Sequence, residues 1–235
     1  MSLKKIYKFG MVINWYGEGC FKIQMGDFTL VTDSFSAKGG FPSKDGHSAS
    51  GGDSYIGSGL NPARGKFDVS LKTISAWPIK DRKEEGSAVL IGAGEYEIKG
   101  FEIKGISLKK QSSDNFFKTI YLVKIEDITL CFLGHISDYP DENVLEELES
   151  IDILFIPAGG APFIKQELAA KLVKQINPKI VIPTFFKVSG LKRKTEDIKD
   201  FANDLGIKPE QENKLTIKKK DLIALKSTKL VQLKV

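Results

Sequence analysis

The spacing of apolar and polar residues over the first 135 positions predicts a series of short β-strands. Segments 12–16, 20–23 and 28–31 are rich in β-branched and aromatic residues, and glycine-containing turns separate them. Further strand patterns follow at 67–74, 88–91, 96–99, 101–106, 119–125 and 128–133. Within 94–106 polar and apolar residues alternate, which predicts a hairpin with one face in water.

From position 138 onward the pattern changes to an alternation of helices and strands. Helices are predicted where apolar residues recur at helical spacing, at 140–149, 163–176 and 195–205. Asp138 is a candidate N-cap for the first helix, and Gly206 is expected to end the third. Buried strands are predicted from the apolar runs at 151–156 and 179–183, and two or three short strands finish the chain.

A glycine- and serine-rich segment at 39–65 interrupts the predicted strands. It holds few large apolar residues and shows no clear period, so we expect a long loop without a core of its own. The segments on either side are not self-sufficient halves. We therefore expect residues 1–235 to form a single domain that carries this loop.

The charge of the chain points to a solvated surface rather than to a nucleic-acid groove. The formal net charge is +5, and the lysines are spread along the chain. A nucleic-acid groove would more typically show arginines and exposed aromatic residues along one stripe. The chain has three arginines, at Arg64, Arg82 and Arg193.

The two cysteines and the apolar runs bear on the compartment. Cys20 and Cys131 lie in apolar segments, which suits buried reduced thiols, with a disulfide between them as the alternative. No apolar run approaches the roughly 18 residues of a membrane helix. No signal-peptide pattern follows the first residues. We expect a cytoplasmic protein without a membrane partner.

Several motifs occur in an order that resembles one enzyme superfamily. The segment Trp15-Tyr-Gly-Glu-Gly-Cys-Phe, then Val31-Thr-Asp-Ser-Phe, is similar to W-x-G-H-S-x-F followed by a strand that ends in D-P-F. Gly92-Ala-Gly-Glu-Tyr, Asp152-Ile-Leu-Phe-Ile-Pro-Ala-Gly-Gly and Pro178-Lys-Ile-Val-Ile-Pro-Thr extend the similarity. Together they resemble the metallo-β-lactamase superfamily, in its predicted metal-dependent hydrolase branch. The resemblance implies an α/β fold, an αββα sandwich of two mixed β-sheets flanked by helices.

The resemblance also implies a dinuclear metal site, zinc in this family, whose ligand positions can be found in this chain. After the strand at 67–73 the family has H-x-H-x-D-H, and these positions hold Ile74, Ala76, Pro78 and Ile79. Phe132 and Phe185 stand at two further histidine positions, and Glu18 replaces the histidine of G-H-S. We therefore expect no bound metal or other cofactor. The apolar residues expected to close the former site as core are Ile74, Trp77, Ile79, Phe132 and Phe185.

Three polar residues remain as candidates for catalysis. His135 stands at the position of the family's bridging aspartate and could bind a metal, act as a base or be a hydrogen-bonded core histidine. Asp33 matches an aspartate near the family's metal loop, and its alternative is an acid capping a turn. Glu18 is either a neighbour of the site or a surface turn residue.

The second histidine, His47, lies in the glycine-rich loop with Asp45 and Asp53. If the loop folds over the former site, these residues approach His135, Asp33 and Asp138; otherwise His47 is solvated.

Three functions follow from these features. The first is a divergent metallo-β-lactamase-fold protein that has lost the metal site and serves as a non-catalytic binding or scaffold protein, with a small molecule or a protein as partner. The second is a hydrolase with a mononuclear-metal or metal-free site rebuilt around His135, Asp33 and Glu18. The third is weak nucleic-acid binding.

Overall fold

A computed structural model describes residues 10–34, 60–79 and 87–235. These residues form fifteen strands and four α-helices. The strands are β1 (Met11–Trp15), β2 (Phe21–Met25), β3 (Phe28–Thr32), β4 (Val69–Lys72), β5 (Ile74–Ala76), β6 (Ala88–Ile91), β7 (Gly94–Ile98), β8 (Phe101–Ser107), β9 (Phe116–Ile125), β10 (Ile128–Phe132), β11 (Ile153–Pro157), β12 (Ile180–Thr184), β13 (Glu210–Glu212), β14 (Leu215–Ile217) and β15 (Lys229–Leu233). The helices are α1 (Glu142–Glu146), α2 (Gln166–Ile176), α3 (Lys199–Leu205) and α4 (Lys219–Ala224).

The strands form two mixed sheets. In the first, the order is β14-β1-β2-β3-β4-β6, with antiparallel pairing up to β3 and parallel pairing beyond it. In the second, the order is β13-β15-β12-β11-β10-β9-β8-β7, parallel from β13 to β10 and antiparallel from β10 to β7. The predicted α/β architecture of two mixed sheets is confirmed, and so is the hairpin, formed by β7 and β8.

Alternation along two strands of the first sheet shows that one of its faces covers the core between the sheets. In β1 and β2 every second residue is buried, as expected for strands with one covered face. By contrast, β11 and β12 are buried at every position, as parallel strands covered on both faces are. Aromatic rings of the two sheets meet in this core, where Phe21 of β2 contacts Phe155 of β11 edge-on at 4.7 Å.

The predicted strand at 67–74 is divided between the two sheets. Its first part, β4, pairs with β3 and β6, whereas β5 pairs with β9 of the other sheet. Thr73 is the single residue between them. Apolar and polar residues alternate through 67–74 without a glycine or proline, so the crossing was not predicted.

The helices are shorter than predicted, and one cap was wrong. The Asp141 side chain, not Asp138, caps α1 by accepting a hydrogen bond from the Val144 backbone. Helix α2 ends at Asn177 and α3 at Gly206, both in the left-handed conformation that allows the chain to leave a helix. Both cysteines are buried, as predicted, and no disulfide joins them.

The last two expectations concern membrane helices and the glycine-rich loop. In the described part, no helix is long and apolar enough to cross a membrane. Most of the predicted loop at 39–65, with Asp45, His47 and Asp53, lies outside the described residues; its end, 60–65, forms neither helix nor strand.

Candidate functional site

The candidate residues come together where strands of both sheets end. Asp33 directly follows β3, and Thr73 joins β4 to β5. His135 lies three residues after β10, and Phe185 directly follows β12. The fold therefore brings together residues that are far apart in sequence, and it places Asp33 and His135 in one site, as predicted.

Thr73 connects Asp33 to His135. Its backbone N–H donates to Asp33 Oδ1 at 2.8 Å, and its hydroxyl donates to Asp33 Oδ2 at 2.6 Å. The same hydroxyl oxygen lies 2.7 Å from His135 Nδ1. All three side chains are buried. Both carboxylate oxygens of Asp33 thus have a partner in Thr73, a residue that the sequence did not single out.

The protonation states follow from burial. Burial raises the pKa of Asp33 to about 6, although the hydrogen bonds from Thr73 and the charge of Lys72 oppose the rise. Burial, together with the charges of Arg193 and Lys118, lowers the pKa of His135 to about 3. At neutral pH Asp33 is ionised and only accepts hydrogen bonds, so the Thr73 hydroxyl donates to it. His135 is then neutral and donates its Nδ1–H to Thr73, and its approach to Asp33 Oδ2 at 3.8 Å is not an ion pair.

Aromatic rings occupy the space beside His135. The rings of Phe185 and Phe163 lie 4.8 Å and 5.9 Å from the imidazole. Phe132 is buried and stacks on Phe155 at 4.3 Å. A Cβ on Gly19 would lie 2.7 Å from the Phe185 ring and 2.8 Å from Asp33 Oδ2, so the packing requires glycine there.

Five apolar residues were predicted to fill the former metal site as core, and the prediction is correct for only some of them. Phe132 and Phe185 are buried, as predicted. Trp77 and Ile79 are not core residues, because they are 59% and 46% exposed, and Ile74 is only partly buried. Beyond β5 the chain turns away from the site, and Trp77 contacts Phe117 edge-on at the surface.

Glu18 is not a surface residue. It is 2% exposed, and its Oε1 lies 3.4 Å from Nε of Arg193, whose guanidinium lies over the Phe163 ring at 5.4 Å. Its Oε2 has no hydrogen-bond partner among the described residues. Burial raises the pKa of Glu18, and the charge of Arg193 opposes that rise. The pairing with Arg193 was not predicted, because Glu18 and Arg193 are far apart in the sequence and hydrophobic periodicity reports only local structure.

Three non-glycine residues of the site have left-handed backbone conformations. The φ angles are 54° at Glu18, 42° at Asp33 and 55° at Phe185. Such conformations cost free energy outside glycine and are concentrated at functional sites. The backbone is therefore strained at three positions of the site, one of which carries an aromatic side chain.

Both the fold and the sequence resemble those of known proteins. The structure aligns with a Thermotoga maritima protein described as a Zn-dependent hydrolase of the metallo-beta-lactamase superfamily, with a TM-score of 0.70 and 25% identity over 95% of this chain and 98% of that one. A family model described as a Beta-lactamase superfamily domain matches residues 12–185. The chain belongs to the metallo-β-lactamase superfamily.

Two other proteins show similarity at different levels. A Pyrococcus horikoshii protein named UPF0173 metal-dependent hydrolase is 26% identical over 147 residues, which cover 58% of this chain and 65% of that protein's length. A Parabacteroides distasonis protein described as a metal-dependent hydrolase shares the fold alone, with a TM-score of 0.55 and 15% identity over 95% of this chain and 94% of that one.

This chain has few side chains near one another that could serve as metal ligands. Within residues 10–34, 60–79 and 87–235, no group of three or more His, Cys, Asp or Glu side chains could hold a metal ion. A cavity of about 10 Å³ remains beside Asp33, Thr73 and Thr184. By the same measure, that space corresponds to roughly one water molecule. Asp138 is exposed at the surface and takes no part in the Asp33–Thr73–His135 network.

Proposed function

We propose that this chain is a metallo-β-lactamase-fold protein that has lost the dinuclear metal site and acts as a non-catalytic binding or scaffold protein. The observation that carries the proposal is the Asp33–Thr73–His135 network. It commits both oxygens of Asp33 and Nδ1 of His135 to the protein itself. Together with Glu18, which pairs with Arg193, these are the polar side chains that the sequence places beside the family's ligand positions.

The residues present do not fit two metal ions. Zinc needs several nitrogen, sulfur or oxygen ligands at about 2.0–2.3 Å. Phe132 and Phe185, which stand at two of the family's histidine positions, are buried rings that offer none. A dication that has shed its water cannot be stabilised by such apolar groups. The donor set therefore supports loss of the metal site.

The hydrolase alternative has less support from the geometry. A general base works best when its pKa is near the operating pH. Burial lowers the pKa of His135 to about 3, and the side chain is fixed by Thr73, so at neutral pH it is a poor base. Glu18 is paired with Arg193 rather than with His135. Nucleic-acid binding remains the least supported function, since it rests on a modest net charge alone.

The metal content of the purified protein tests the first part of the proposal. We expect less than about 0.1 equivalent of zinc, iron or manganese per chain, and an unchanged melting temperature after addition of EDTA or of each metal. The physical reason is that binding to the native state would raise stability by mass action. A Tm increase of several degrees with zinc, lost in His135→Asn, would contradict the proposal.

The exposed apolar pair Trp77 and Ile79 supports a binding role, because exposed apolar patches often mark interaction surfaces. We expect the dye 1-anilinonaphthalene-8-sulfonate to bind there. Trp77→Ser should reduce its fluorescence at least about twofold, since the indole supplies most of the apolar area. Ile223→Ser is the matched control, because Ile223 is 71% exposed on α4. Equal reduction by the two substitutions would show that the Trp77 surface is not special.

A further inference from the structure

Thr184, the last residue of β12, carries a buried hydroxyl group whose bonding the protein chain does not explain. The residue is 3% exposed. Its Oγ1 makes no hydrogen bond to any atom in the described part of the chain. Burial of a hydroxyl group without a hydrogen bond destabilises a fold, so such groups are usually bonded to protein or to an ordered water molecule. Thr184 therefore points to a partner outside the described residues.

The cavity of about 10 Å³ at the strand ends has Thr184 in its wall. Its volume is at the lower limit for a single water molecule, so the cavity admits one water and excludes any larger ligand. The rings of Phe132 and Phe185 form another part of the wall. The cavity thus lies between the side chains that stand at two of the family's histidine positions.

The other polar side chains of the wall show which hydrogen bonds are still available. The hydroxyl hydrogens of Thr32 and Thr73 are already donated, to the Gly19 carbonyl and to Asp33. Each oxygen of Asp33 accepts one hydrogen bond from Thr73, whereas an ionised carboxylate offers about four acceptor positions. The cavity is therefore lined by a carboxylate that can accept a further hydrogen bond and by the Thr184 hydroxyl, which can donate or accept one.

We propose that one water molecule is bound in this cavity, between Thr184 Oγ1 and the Asp33 carboxylate. The water donates one hydrogen bond to an oxygen of Asp33 and forms a second with the Thr184 hydroxyl. Asp33 follows β3 of the first sheet, whereas Thr184 ends β12 of the second, so the water joins the two sheets. The proposal deepens the loss of the metal site and rests on it, since a metal ion in the same cavity would displace the water.

Replacement of Thr184 by valine tests the proposal through the sign of the stability change. Valine has nearly the same shape as threonine but cannot bond to the water. We expect the melting temperature to fall by about 3–6 °C, because the water and its hydrogen bonds are lost. Without a water, valine would remove an unsatisfied hydroxyl group and the melting temperature would rise. A rise would therefore overturn the proposal.

A count of long-lived bound water molecules gives a second measurement that does not depend on stability. Relaxation dispersion of the water oxygen nucleus provides this count in solution. We expect Thr184→Val to have one such water fewer than the native protein. Thr184→Ser is the matched control, because it keeps the hydroxyl group and should keep the water. Equal counts for the native protein and the valine variant would contradict the proposal.

A crystal structure of the native protein separates failure of this proposal from failure of the proposed function. We expect one peak of electron density in the cavity, about 2.5–3.0 Å from Thr184 Oγ1 and from an oxygen of Asp33, without anomalous scattering. A cavity without density would overturn the water site and leave the loss of the metal site standing. A peak with the anomalous scattering of zinc and ligands at about 2.0–2.3 Å would overturn both.

Discussion

Replacement of Thr73 by valine is expected to lower the free energy of unfolding by about 3 kcal/mol. Valine has nearly the same shape as threonine, so the effect isolates the hydroxyl group. Its loss removes a hydrogen bond from Asp33 Oδ2 and leaves His135 Nδ1–H without that acceptor in a buried site. Each buried polar group left without a partner costs about 1–3 kcal/mol. Urea denaturation at pH 7 measures the change.

Thr73→Ser is the matched control, because it keeps the hydroxyl and removes only a methyl group. It should cost about 1 kcal/mol, the value of one buried methyl group. If valine and serine destabilised the protein equally, the hydroxyl would not be the link between Asp33 and His135. The comparison therefore tests the hydrogen-bond network directly, independently of any assay of activity.

The fold could be predicted further than the site. Strand patterns, the hairpin at 94–106 and the order of motifs were sufficient to reach the superfamily, because alternation is a local signal and is repeated along the chain. The division of the strand at 67–74 was not predictable. No glycine or proline interrupts residues 67–74, while the pairing partner changes from one sheet to the other at Thr73.

The same crossing explains why Thr73 was missed. The residue lies 40 positions from Asp33 and 62 from His135 in sequence, and only the change of sheet places it between them. Asp33 and His135 were found because they stand in recognisable motifs. Glu18 was found for the same reason. Its partner Arg193 lies in a loop whose sequence matches none of the recognised motifs. Trp77 was wrongly assigned to the core because an apolar side chain in a motif position does not reveal where the next turn directs the chain.

The pH dependence of stability provides the second large effect, in which Asp33 and His135 act in opposite directions. The pKa of Asp33 is raised to about 6 in the folded state, from an ordinary value of 3.8. The folded protein binds more protons at this group between those values, so its contribution to stability is lost as pH rises from about 4 to 6. The pKa of His135 is lowered to about 3 from 6.5, so its contribution to stability is gained as pH rises through the same interval. In the native protein the two slopes largely cancel.

Substitution of either residue should expose the slope of the other. In His135→Asn only the Asp33 slope remains, so the variant should lose about 3 kcal/mol relative to the native protein between pH 4 and pH 6. The causes that set the pKa of Asp33 are burial, Thr73 and Lys72, and all of them remain in this variant. Asp33→Asn leaves only the His135 slope and should gain stability relative to the native protein over the same range. Urea denaturation of the three proteins at pH 4, 5 and 6 measures these differences, in which the titration of all other groups cancels. Parallel pH profiles for the three proteins would mean that neither group is buried as the Asp33–Thr73–His135 network requires.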